Sequence, residues 1–209
     1  MNLQFLVSVF LCITFLSGKP FAQSKYEKSL EPTLVFSLKA GVHSGDKDKT
    51  DYYYPVAYTN DLPFGFVIDG SFEKSTGKAW YLGLDFNYHF GSDEAFDYFA
   101  NEDISRDSKL FSITLYTKKR IFLGEIIPYI AAGLGNTNVH VNYSGYSEEK
   151  SNLIHIMFKL GVDYPVTNNL FLSFEGVYLG MTEISFHGDG RNNREFQIIT
   201  GLTYALPKL

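Results

Sequence analysis

From Leu34 onward the chain alternates between large apolar residues and small or polar ones, with a period of two rather than 3.6. Leu34, Phe36, Leu38, Ala40 and Val42 alternate with Val35, Ser37, Lys39 and Gly41. Phe64, Phe66, Ile68 and Phe72 oppose Gly65, Val67, Asp69, Ser71 and Glu73. Trp80, Leu82, Leu84, Phe86, Tyr88 and Phe90 oppose Tyr81, Gly83, Asp85, Asn87 and His89. The same rhythm recurs around Phe111–Tyr116, Tyr129–Gly135, Ile154–Asp163, Leu172–Tyr178 and Phe196–Leu206. These segments predict eight antiparallel strands, each about the ~9–11 residues that a tilted strand needs to cross a bilayer.

The stretches between them predict connections that alternate in length. Long ones fall at 45–62, 91–107, 137–151 and 182–193, and short ones at 75–78, 119–125 and 165–168. Short turns on one side and long loops on the other suit a barrel that meets two different compartments. The large residues share one face of each strand, and Gly, Ser, Thr, Lys, Asp and His share the other. A membrane barrel with lipid outside and a polar lumen has that distribution. A soluble lipocalin-like barrel, with large apolar residues inside, is the competing arrangement. The predicted fold is all-β: an up-and-down transmembrane barrel over 33–209.

The N-terminus reads differently. Leu3 to Leu16 is a largely apolar run, followed by Ser17-Gly18-Lys19-Pro20-Phe21-Ala22-Gln23. It is short for a spanning helix and predicts a cleaved signal peptide over 1–22, although no Lys or Arg precedes the apolar core. Residues 23–32 then form a periplasmic lead. Cys12, the single cysteine of the 209 residues, lies inside that run, so the mature chain has neither disulfide nor thiolate chemistry. Net formal charge is −5, or −6 once Lys19 is removed with the leader, which argues against nucleic acid as a partner. Aromatic residues make up 17% of the chain, and several fall where strands should meet the membrane interfaces. Tyr52, Tyr53, Tyr54, Phe64, Tyr88 and Phe90 are expected at the outer rim, and Trp80, Tyr116, Phe122, Tyr164 and Tyr204 at the periplasmic rim.

At this point the chain resembles the superfamily of eight-stranded outer-membrane barrels of the OmpA, OmpX and Opa type, without a peptidoglycan-binding domain. Pro128-Tyr129-Ile130-Ala131-Ala132-Gly133-Leu134-Gly135 is similar to a strand common in that superfamily. Gly201, Tyr204 and Leu206 resemble the C-terminal signal read by the barrel assembly machinery, with Pro207-Lys208-Leu209 in place of a terminal aromatic. The resemblance implies a bacterial outer-membrane location. It also implies contact with lipid and lipopolysaccharide, and a structural or surface-interaction (adhesin-like) role with a host or cell-surface ligand. A narrow channel for small or apolar solutes and a lipid-modifying enzyme are the alternatives.

Candidate chemistry concentrates on the polar face. Lys39, Asp69, Asp85, Lys159 and Glu175 should lie near mid-height in the lumen, Lys39 beside Asp69 and Lys159 opposite Glu175. A charge there must be paired or wet. The pattern suits a salt-bridged plug in an interior too narrow for an open pore, or else a gate. An enzyme would need a nucleophile, a base and an orienting acid at one rim. His43-Ser44, His89 with Ser92 and Asp93, and His187 with Asp189 are the available pieces, and none forms a recognisable catalytic motif. His89 and His155 are expected to hydrogen-bond within the lumen, and His140 and His187 to lie in solvated loops. The acids of 91–107 lack the spacing of a calcium loop, and Gly133-Leu134-Gly135 lacks the rest of a dinucleotide fingerprint. No catalytic residue, metal ligand or cofactor is assigned.

Overall fold

The structure is a computed structural model, and it describes residues 34–45, 64–97, 102–123, 126–145, 149–183 and 192–206. The strands are β1 Leu34–Gly45, β2 Gly65–Gly77, β3 Trp80–Asp97, β4 Glu102–Arg120, β5 Ile127–Tyr143, β6 Glu149–Pro165, β7 Leu170–Glu183 and β8 Asn192–Leu206. Each pairs antiparallel with its sequence neighbour, and β1 pairs with β8, so the eight strands close into a barrel. Closure leaves no strand edge unpaired, the condition a sheet must meet inside hydrocarbon.

The period-two pattern sorts as expected. Phe36, Leu38, Phe66, Leu84, Ile113, Leu134, Phe158, Phe174 and Ile198 all point outward and are exposed, Leu38 to 68% and Leu134 to 64%. An apolar belt of this extent is far larger than the patches that water-soluble monomers carry, and it excludes the lipocalin-like arrangement. Polar and charged inward-facing residues are grouped in tiers along the lumen. An apolar cluster that includes Leu110, Leu153, Met157, Leu179, Met181 and Ile199 fills the rest of the interior. Val35, Tyr81, Ile127, Phe171 and Ala205, with Phe122 against them, pack together at the end that carries the short turns.

Three expectations are corrected. First, two of the four long connections, 91–107 and 137–151, are mostly paired strand. β3 and β4 stay in register out to Asp97 and Glu102, leaving only 98–101 between them, and β5 and β6 leave only 144–148. Among the described residues the strands reach different heights, with a wall that is tall at β3–β6 and low at β1, β2 and β8. Asp and Ser in 91–97 and 102–107 looked like turn residues. A ladder that already exists below them extends with little further ordering cost, so weak strand formers are carried along. Second, Tyr116 is not at the lipid interface but buried in the lumen, and Phe122 packs against the inner cluster. Trp80, Tyr164 and Tyr204 do face outward. Third, β4 continues to Arg120, so Arg120 belongs to the lumen rather than to the turn expected from residue 119, and Lys118 is buried there with it. The short connection between β2 and β3 is a tight turn at Lys78 and Ala79, both with positive φ (51° and 62°). The predicted leader 1–22 and lead 23–32, the charged run Asp46–Asp51, Tyr52–Tyr54, His187, Asp189 and Pro207–Leu209 lie outside the described residues.

Candidate functional site: a layered polar lumen

The register brings the mid-height residues together. Lys39 on β1 pairs directly with Asp69 on β2. Lys159 on β6 pairs with Val177, and Glu175 with Gly161, so the Lys159–Glu175 contact is diagonal, two residues off the expected alignment. Lys159 Nζ lies 2.8 Å from Asp85 Oδ1, 3.1 Å from Asp69 Oδ2 and 3.2 Å from Glu175 Oε1. Lys39 Nζ lies 3.1 Å from Glu175 Oε2 and 3.4 Å from Asp69 Oδ1. All five side chains are buried. Two ammonium groups thus face three carboxylates. Two neutral donors take up part of the excess: Tyr129 Oη donates to Glu175 Oε2 and Asn87 Nδ2 to Asp85 Oδ2. Asp85 meets a single ammonium, whereas Asp69 and Glu175 each meet two.

A second tier lies below. Lys118 Nζ and Tyr116 Oη both donate to Glu73 Oε1 at 2.8 Å. Arg120 Nη2 lies 3.1 Å from Asp163 Oδ2 and 3.6 Å from Glu73 Oε2. Ser173 Oγ donates to Asp163 at 2.6 Å, and a hydroxyl chain continues through Thr203 to Ser37. Here two cations face two carboxylates, and the charge closes. Lys118 also sits 3.7 Å over the Tyr129 ring and Arg120 4.7 Å over Tyr81, so aromatic faces cover what the carboxylates leave open. Sequence reading missed this tier. Its signal was the alternation of Tyr116, Lys118 and Arg120 in phase with Ser112 and Thr114, which a turn placed at residue 119 concealed.

Several inward glycines make these tiers possible. A Cβ at Gly83 would sit 2.4 Å from Tyr116 Cζ, and one at Gly161 2.3 Å from Tyr129 Cζ. Each tyrosine lies across the glycine of a neighbouring strand, and so reaches the carboxylate it bonds. Gly201 lies beside Lys39 in the same way, while Tyr204 and Leu206 point outward on β8.

A third tier stands toward the tall end. His155 is held by Thr114 at Nε2 (2.7 Å) and Thr137 at Nδ1 (2.8 Å), as expected of a lumen histidine. His89 departs from that expectation. With His43 it gathers at Glu195, a residue that the sequence left unremarked. Ser44 is exposed and donates to the Gly45 carbonyl, on the opposite face from His43, so these two do not assemble as nucleophile and base.

A closed barrel with an apolar exterior and a charged, filled interior defines a membrane-spanning β-barrel of the outer-membrane class. The chain belongs to the family of outer membrane protein β-barrel domains, which matches residues 8–204. That family places it among bacterial outer-membrane proteins. Among solved structures it is similar to Neisserial surface protein A, with 18% identity and a TM-score of 0.60 over 83% of this chain and 97% of that one. It is also similar to the outer membrane protein OprG from Pseudomonas aeruginosa, with 13% identity and a TM-score of 0.52 over 83% of this chain and 96% of that one. At these identities the likeness concerns the fold. No curated protein matches the chain in sequence.

Proposed function

We propose that this protein is a non-conducting outer-membrane barrel that acts at the cell surface through its projecting hairpins, as an adhesin-like binding protein. One observation carries the reading: the lumen is filled by ion pairs at two successive levels, while the β3–β6 wall rises beyond the barrel body as a paired ribbon. Lys39, Asp69, Asp85, Lys159 and Glu175 serve as the plug. Opening a path through them would separate buried ions from their partners, at a cost of several kcal/mol for each. Binding energy for a macromolecular partner would come instead from the ribbon, whose backbone is already ordered before contact. Export through a cleaved leader at 1–22 and reading of Gly201, Tyr204 and Leu206 by the assembly machinery belong to the same proposal, as does contact of the belt with lipopolysaccharide.

The test is adhesion of a laboratory Gram-negative strain expressing the full chain to cultured epithelial cells and to immobilised extracellular-matrix proteins. A variant with residues 95–104 replaced by a two-residue Asn-Gly turn is run beside it. Adhesion above the empty strain that falls with the shortened hairpin supports the proposal. Equal adhesion of the two expressing strains, or none above the empty strain, overturns it.

A further inference from the structure

Buried carboxylates in this lumen follow one rule with one exception. Asp69, Asp85 and Glu175 meet lysine, Glu73 meets Lys118 and Arg120, and Asp163 meets Arg120. Glu195 is as deeply buried, with no accessible surface, yet its ionic partners among the described residues are two imidazoles. His89 Nδ1 lies 2.7 Å and His43 Nδ1 3.6 Å from Glu195 Oε1. Both rings are buried, to 0% and 1% exposure, with centroids 5.2 Å apart.

The backbone is arranged to permit this meeting. Glu195 comes from β8, His43 from β1 and His89 from β3, so β2 stands between the two histidines. At that level β2 contributes Gly65, which pairs with His43 on one side and Gly91 on the other. A Cβ on Gly65 would lie 2.6 Å from His43 Nε2, so any larger residue would displace the ring. One nitrogen from each imidazole and one oxygen of Glu195 fall within 4.8 Å of one another.

Hydrogen bonding accounts for only part of the cluster. His89 Nδ1 and Nε2, His43 Nδ1 and Glu195 Oε2 lack a hydrogen bond among the described residues, despite the short His89–Glu195 approach. Gln197 Nε2 donates to Glu195 Oε1 at 3.1 Å, and Gln197 Oε1 is itself buried without a partner. His155 shows the contrast: it lies in the same tier with both ring nitrogens bonded to threonine hydroxyls. Buried polar atoms are ordinarily satisfied, and a group of them converging on one point calls for a shared partner. Two imidazole nitrogens and one carboxylate oxygen form the ligand set of a three-coordinate zinc site that keeps its fourth position open. Bonds of about 2.0–2.2 Å in tetrahedral geometry put ligand atoms roughly 3.3–3.5 Å apart. The observed 2.7 and 3.6 Å separations bracket that span.

We propose that His43, His89 and Glu195 form a binding site for a divalent late first-row transition ion of the zinc class, at the outer end of the lumen. Imidazole-rich ligation selects such ions over calcium or magnesium, which prefer all-oxygen shells. Gln197 acts from outside the ligand set by holding Glu195 in its rotamer. The site ties β8 and β1, on the low side of the wall, to β3, the first strand of the tall side.

The experiment is calorimetric titration of the refolded full chain in detergent with Zn²⁺, repeated with Co²⁺ by visible absorption. Expected are one saturable Zn²⁺ per barrel and a d–d band of four- or five-coordinate Co²⁺. Glu195→Gln and His89→Ala should each weaken binding at least tenfold, whereas His155→Ala and His140→Ala leave it unchanged. Folding of each variant is read from its heat-shifted electrophoretic band. Should a variant not fold, X-ray absorption of the zinc-loaded native chain decides, through a first shell with two imidazoles and one carboxylate oxygen. Absence of saturable binding, full retention in the His43→Ala/His89→Ala double variant, or a shell without imidazole overturns the proposal.

Discussion

Removing Lys159 should damage the barrel far more than removing a carboxylate beside it. Lys159 Nζ touches Asp85, Asp69 and Glu175 within 3.2 Å. Lys159→Met keeps the length of the side chain but leaves three carboxylates facing Lys39 alone, and Asp85 with no ammonium at all. Breaking a buried ion cluster by deleting one partner costs about 3–5 kcal/mol. Asp85→Asn acts in the other direction. It preserves shape and leaves two ammonium groups against Asp69 and Glu175, a balanced set, so its cost should be no more than ~1 kcal/mol, in the range of one neutral hydrogen bond. In the double variant the neutral amide at position 85 no longer needs the missing lysine. The combined loss should therefore fall short of the sum by about 1–2 kcal/mol, within the range known for contacting residues. The assay is equilibrium urea unfolding in lipid vesicles. Trp80, the single tryptophan, faces outward and reports transfer from lipid to water. Equal costs for the two single variants, or strict additivity, would refute the assignment of Lys159 as the hub.

Further outcomes follow from the turn, the tyrosine seats and the lower tier. Ala79→Gly should stabilise the barrel by about 1 kcal/mol in the same assay, because a left-handed residue with a Cβ is strained and glycine is not. Gly161→Ala should cost about 1–3 kcal/mol by driving the Tyr129 ring off its seat, while Gly176→Ala, with nothing within 4 Å of the added methyl, should cost much less. Arg120→Ala should cost about 3–5 kcal/mol by leaving Asp163 without its cation, and Asp163→Asn in that background should recover part of it, both read from urea midpoints.

Much of this fold was legible in the sequence because a membrane barrel writes its two environments onto alternate residues. The eight strands, the outward set led by Leu38, Phe86 and Leu134, and the inward placement of Lys39, Asp69, Asp85, Lys159 and Glu175 all follow from period two. Two kinds of information were not written locally. Strand ends were one, since the ladder that carries β3 to Asp97 and β4 to Arg120 comes from pairing, not from the propensity of those residues. Shear was the other, since the stagger between strands decides which charges share a level. A turn centred one residue later made Lys159 and Glu175 diagonal instead of opposite. Stagger is also what gathered His43, His89 and Glu195, which lie on three strands and show no metal-ligand spacing along the chain.

The measurement that bears most directly on the account is single-channel conductance of the refolded chain in planar bilayers. A lumen closed at two levels by Lys39–Asp69–Asp85–Lys159–Glu175 and by Glu73–Lys118–Arg120–Asp163 predicts a quiet trace in molar salt at applied voltage, and one that stays quiet when Lys39 and Lys159 are both replaced by glycine, because the lower level remains closed. Discrete, long-lived openings in the unaltered protein would contradict it, and would show an open path for ions past both tiers of paired charges.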